Sequence, residues 1–178
     1  IIIGGYTRIS DSGLSITSGI QNTIVGSLAG DALTDADNNV AVGMSALSAD
    51  TQGSRSVAIG RTALFTQNFT TATDTYNTAV GFETGYAIIA GNYNTLVGYQ
   101  AGDALTTGNK NAVLGYNACG AGTTYDGNTA IGYEALKVAN NTDGPDGNNV
   151  AIGASAGDAV TSGVRNVLIG VGTGASLR

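Results

Sequence analysis

Asn94-Thr95-Leu96-Val97-Gly98 and the next copy of its pattern, Asn111-Ala112-Val113-Leu114-Gly115, decide the fold. Each is a polar turn residue, three small or aliphatic residues and a glycine. The same pattern recurs nine times, closing at Gly26, Gly43, Gly60, Gly81, Gly98, Gly115, Gly132, Gly153 and Gly170. The glycine spacings run 17, 17, 21, 17, 17, 17, 21 and 17. A short fixed period over most of a chain is the signature of a solenoid, in which each repeat stacks on its neighbours.

With the closing glycine as position zero, position −1 is always Val, Ile or Leu. Position −3 shares its side of a strand, because side chains alternate with period two, and position −2 lies opposite. Both sides are largely apolar, and the β-branched residues at −1 favour a strand over a helix. Position −4 is Asn22, Asn39, Asn77, Asn94, Asn111, Asn128, Asn149 and Asn166, with Ser56 as the exception. Asn marks a turn and bonds nearby peptide groups, so in register these residues are expected to form a ladder along one edge. Position +3 is always Ala or Thr, and a second short strand is expected from the glycine onward. The expectation is an all-β parallel β-roll or β-helix solenoid of about nine rungs of 17–21 residues, a rod of roughly 40–45 Å at about 4.8 Å per rung.

A longer period overlies the short one. The spacing series 17, 17, 21, 17 occurs twice, and Asn22-Thr23-Ile24-Val25-Gly26 returns four rungs on as Asn94-Thr95-Leu96-Val97-Gly98. The chain divides into an entry segment with a partial rung ending at Gly4 (1–21), a four-rung unit (22–93), its duplicate (94–165) and the start of a further rung (166–178). Each unit has one lengthened rung, in segments 65–76 and 137–148, and insertions in solenoids map to surface loops.

Composition narrows the function classes. The 178 residues include 28 Gly but one Pro, which excludes collagen. Thirteen acidic and seven basic residues give a net charge of −6, against the clustered Lys and Arg that nucleic-acid binding needs. No apolar run is long enough to span a membrane as a helix. The opening Ile1-Ile2-Ile3-Gly4 has no initiator Met and no signal peptide, so the chain reads as a segment of a longer protein. Without His or a Cys pair, and with no carboxylate pair placed by the rungs, no catalytic site is expected. Cys119 reads as a small packed residue. Asp31, Asp103 and Asp158 repeat in Ala-Gly-Asp-Ala; with Asp35 and Asp37 nearby they invite a Ca²⁺ reading, but no calcium-binding signature is present and Asp beside Gly is a turn residue. Asp143 and Asp146, around Gly144-Pro145, read the same way. No metal or cofactor is expected.

Four consecutive rungs carry a ring at +1: Phe82, Tyr99, Tyr116 and Tyr133. This column is the candidate binding site, as a sugar-binding stripe. The competing reading is ring stacking that fixes the rung register, or burial between subunits. A rung this short encloses little, so one apolar side of each strand needs a cover. A symmetric oligomer supplies one.

Ser56-Val57-Ala58-Ile59-Gly60 and Asn149-Val150-Ala151-Ile152-Gly153 resemble the repeat of YadA-type trimeric autotransporter adhesin heads. Asn77-Thr78-Ala79-Val80-Gly81 and Asn128-Thr129-Ala130-Ile131-Gly132-Tyr133-Glu134-Ala135-Leu136 resemble the shaft repeats of bacteriophage tail fibres more closely. The resemblance covers about residues 22–175. It implies a left-handed, homotrimeric β-roll in an extracellular fibre, most simply a virion tail fibre that positions or joins in binding a host-surface glycan or protein receptor. The alternatives are an adhesin head on a bacterial cell surface and a monomeric solenoid of an extracellular filament. A non-enzymatic structural role is expected in each.

Overall fold

The short apolar run before each closing glycine is the strand. In the computed structural model, which describes residues 6–9, 15–139 and 146–175, these runs pair in register into one parallel sheet. The strands in chain order are β1 (Tyr6–Ile9), β2 (Asn22–Val25), β3 (Val40–Val42), β4 (Gly53–Ser54), β5 (Val57–Ile59), β6 (Thr73–Asp74), β7 (Thr78–Val80), β8 (Thr95–Val97), β9 (Ala112–Leu114), β10 (Thr129–Ile131), β11 (Val150–Ile152) and β12 (Val167–Ile169). All but β4 and β6 belong to the main sheet, each pairing with the next. The chain is therefore a parallel β-solenoid in which every repeat of the sequence adds one rung. The register crosses both longer rungs without a slip: Val57 pairs with Thr78, and Thr129 with Val150. Strand β1 precedes β2 by one position less than a regular rung, with Tyr6 opposite Asn22. Gly4, the expected close of a partial rung, lies outside the described residues.

The second strand expected after each glycine is not there. The chain turns instead, because positions +2 and +4 take the left-handed backbone: φ is 58° at Leu28, 52° at Leu47 and 50° at Leu64. Such φ values are uncommon for non-glycine residues, and the stack holds them in place. The +2 amide bonds the rung before (Ser45 N–H to Ser27 C=O, 2.9 Å) and the +4 amide the rung after (Leu47 N–H to Ala63 C=O, 3.0 Å). The closing glycine is required by space as well as by φ: at Gly98 φ is 137°, and a Cβ would meet the Gly115 carbonyl. Among the described residues a second sheet forms at the first long rung, where β4 pairs with β6, and at the second long rung Asp126 and Asp146 form an isolated parallel bridge.

Position −2 points into the rod and positions −1 and −3 point out. Ile24, Ala41, Ala58, Ala79, Leu96, Val113, Ala130, Ala151 and Leu168 are all buried. Position +4 fills the same interior, and the two trade volume: Ile24 stands with Gly30, Ala41 with Leu47, Ala58 with Leu64, Leu96 with Gly102, Ala130 with Leu136, and Leu168 with Gly174. Gly85 and Gly157, at equivalent places in the two four-rung units, face small residues in their own rungs, Ala79 and Ala151. Adjacent rungs fill the space there. A Cβ at Gly85 would meet Leu64 Cδ2 at 3.0 Å and Leu96 Cδ1 at 2.9 Å; one at Gly157 would meet Leu136 Cδ2 at 2.9 Å and Leu168 Cδ1 at 3.0 Å. Interiors need this close filling. The rung of Val113, Cys119 and Gly122 is completed by the buried Tyr125, whose hydroxyl donates to Thr161 C=O at 3.0 Å.

Candidate functional site

The Asn residues at −4 lie inside the rod, not along an edge. Asn22, Asn39, Asn77, Asn94, Asn111, Asn128 and Asn149 are almost fully buried. The left-handed turn residue is the one before, such as Tyr93 (φ 58°) before Asn94. Each Oδ1 from Asn22 to Asn149 accepts the backbone N–H of the −4 residue one rung on: Ser56 N–H to Asn39 at 2.8 Å, Asn111 N–H to Asn94 at 3.0 Å, Asn128 N–H to Asn111 at 2.9 Å, Asn149 N–H to Asn128 at 3.0 Å, and Asn166 N–H to Asn149 at 3.0 Å. The amide Nδ2 donates to a carbonyl further along the chain, as from Asn94 to Gly108 at 2.8 Å and from Asn111 to Tyr125 at 2.8 Å. Burying an amide is tolerable only with its bonds made, and the repeat makes them rung after rung.

Ser56 interrupts the ladder, and the first long rung repairs it. Buried Gln67 donates from Nε2 to Ser56 Oγ (2.9 Å) and to Asp50 Oδ2 (2.5 Å), and its Oε1 accepts from Asn77 Nδ2 (2.8 Å). Asp50 Oδ1 accepts the Gly53 and Phe69 amides, each at 3.0 Å. Burial of Asp50 outweighs these bonds and pushes its carboxyl above the ordinary carboxylate range. Segment 65–76, expected as a protruding loop, thus sends Gln67 and Thr75 inward; Asn68, residues 70–72, Asp74 and Tyr76 are exposed. Of the second loop, residues 140–145, with Asp143, Gly144 and Pro145, lie outside the described residues.

Phe82, Tyr99, Tyr116 and Tyr133 form one column on the outside of the rod. Successive ring centroids are 5.2, 5.2 and 5.3 Å apart with planes within 5°, 5° and 8° of parallel. Each inner ring has both faces covered by its neighbours, so the column offers edges and hydroxyls along its length. Arg61, at the same position one rung earlier, closes the first end with its guanidinium 5.2 Å from the Phe82 ring. Exposure rises away from that cap: 43% at Tyr99, 47% at Tyr116 and 54% at Tyr133. At +2, Gln100 Nε2 donates to Glu83 Oε2 at 2.8 Å, and Glu134 Oε1 takes Lys137 Nζ at 2.9 Å. The Glu134 charge raises the pKa of the Tyr133 phenol.

Two further ring pairs escape a reading that follows only position +1. Phe65 and Tyr86, both at +5, stack at 5.1 Å, and Tyr76 and Tyr93, both at −5, at 5.3 Å. Arg55 covers Tyr76, its guanidinium 5.8 Å from the ring, and also pairs with Asp74. The signal was available: aligning the chain on its glycines puts these rings in shared columns.

The outer sheet face carries exposed aliphatic residues. At −1, Ile59, Leu114, Ile152 and Ile169 are 38%, 49%, 36% and 65% exposed, and Val167 at −3 is 70% exposed. The carboxylates do not gather. Asp35 accepts from Thr17 Oγ1 (2.8 Å) and Ser18 Oγ (2.5 Å), and Asp37 accepts the Ile20 amide (2.8 Å). Asp31 and Asp103 each keep one buried Oδ1 without a partner. Among the described residues no three potential ligands converge on a metal position, no ligand-sized cavity opens, and no helix is long and apolar enough to cross a membrane. Cys119 is buried, and burial pushes its thiol up to about 12. No family model, curated protein or solved structure matches the chain.

Proposed function

We propose that this chain is a rod segment of an extracellular fibre, most simply a phage tail fibre, in which three copies pack their outer sheet faces about a common axis. The observation that carries this reading is the column of Val, Ile and Leu at −1, left open along the sheet of a single chain. Apolar surface favours burial by roughly 25 cal/mol per Å², and a continuous patch of this kind marks an association surface. Each chain carries one such face, and a threefold axis along the rod covers all three at once. The left-handed turn of the related β-rolls belongs to the same proposal. The fibre holds its adsorption tip away from the particle, and its ring columns and inserted loops face outward to the host surface, where a glycan or protein receptor would meet them. Nothing in the arrangement points to catalysis, and the net charge of −6 disfavours nucleic acid as a partner.

The placement is tested by immunogold labelling with antibodies raised against residues 22–165. Gold along the tail fibres of the native particle is the expected result. Gold on a bacterial envelope instead would transfer the same architecture to an adhesin head, and label confined to the cell interior would end the extracellular reading.

A further inference from the structure

The ring column has one open end. Its first ring is covered by Arg61 and its inner rings by one another. Beyond Tyr133 the equivalent position one rung on is Ala154, and the next is Val171, 81% exposed. The outer face of Tyr133 therefore looks onto a vacant step of the stack. Each step in this column is 5.2–5.3 Å, and Ala154 supplies no ring at the step after Tyr133. Polar groups flank it: Glu134, held by Lys137, adjoins Tyr133, and Ser155 adjoins Ala154. The side chains at +2 reach along the rod, as Gln100 does to Glu83.

We infer that the vacant step beyond Tyr133 is a binding ledge for one neutral pyranose ring, which takes the place of the next member of the stack. An apolar ring face with carboxylate and hydroxyl groups at its rim suits a sugar, whose C–H face needs the aromatic and whose hydroxyls need the rim. Lys137 neutralises Glu134, so Asp158, in the rung of Ala154, sets the local charge against an acidic sugar. This relocates sugar binding from a stripe along the column to its end, since a ring already stacked on both faces has none to offer. The inference stands on the column alone and holds for a fibre or an adhesin.

Saturation-transfer difference NMR on the full chain tests it, with methyl β-glucopyranoside, methyl β-galactopyranoside and N-acetylglucosamine as probes. Transfer to the ring C–H protons of at least one probe is expected. Tyr133→Leu, which keeps the Tyr116 face covered but offers no ring, should reduce it at least tenfold, and Tyr99→Leu should leave it within twofold. Ala154→Tyr is the decisive variant: it adds a ring to the stack, should not lower Tm, and should abolish transfer by occupying the ledge. No transfer to any probe at millimolar concentration would overturn the inference. So would equal transfer in wild type and Ala154→Tyr, or a loss in Tyr99→Leu as large as in Tyr133→Leu.

Discussion

A buried Asn in this rod has no route to water, so its bonds to adjacent rungs decide whether it stabilises. Asn111 makes one to the Tyr125 carbonyl and receives one from the Asn128 amide. Asn111→Ala deletes the side chain and strands both partners. At about 1–3 kcal/mol for each buried group left unpaired, we expect a loss of about 2–4 kcal/mol, read from urea denaturation of a folded variant. A loss of about 0.5 kcal/mol or less, the size of an ordinary surface substitution, would mean that the ladder is ornamental. Asp50 makes a pH prediction. Burial raises its folded pKa above its unfolded value, so the folded chain binds this proton more tightly. The group's contribution to stability is then greatest below the unfolded pKa and is lost as pH rises through the folded pKa. In thermal melts between pH 7 and pH 4, wild type should gain stability on acidification relative to Asp50→Asn. A relative loss would show that the surrounding hydrogen bonds outweigh burial.

Rungs hold together as elements through the sheet, the turn arc and the ring columns. Tyr116 stacks on both sides. At about 0.5–1.5 kcal/mol per ring pair, and with the column exposed, Tyr116→Ala should cost about 1–2 kcal/mol and leave the circular dichroism spectrum unchanged. A variant as stable as wild type would remove the column from the forces that hold the register. Gly98→Ala should cost more than this, because it combines a strained φ of 137° with a collision against the Gly115 carbonyl. Comparative chemical denaturation orders the two variants. The strand at −3 to −1 was legible in the sequence because alternation and the glycine interval fix both its register and its inward residue. The arc after the glycine was not, since apolar residues at +3 and +4 suit a strand equally well. Only backbone geometry shows that Leu47, Leu64 and Leu136 turn inward from left-handed positions. Gln67 was illegible for another reason: its role depends on Ser56, elsewhere in the chain, lacking an amide.

At the scale of the molecule, the four-rung period has a packing meaning. In each unit the first rung sets a large residue at −2 against Gly at +4, the third sets Ala against Leu, and the fourth sets Ala against Gly, whose space the adjacent rungs fill, so a rung fits its own neighbours better than a shifted set. The ring column was legible in the sequence, but its one free ring face was not, because stacking geometry decides which faces are covered. The outer sheet face carries the central claim: its −1 residues are all Val, Ile or Leu, four of them exposed and five half-buried in one chain. Sedimentation equilibrium of the purified chain at micromolar concentration tests that claim most directly. The account predicts a single species of three times the 17.6 kDa chain mass, which Leu114→Asp with Ile152→Asp dissociates. A stable 17.6 kDa monomer with a cooperative thermal transition would contradict it.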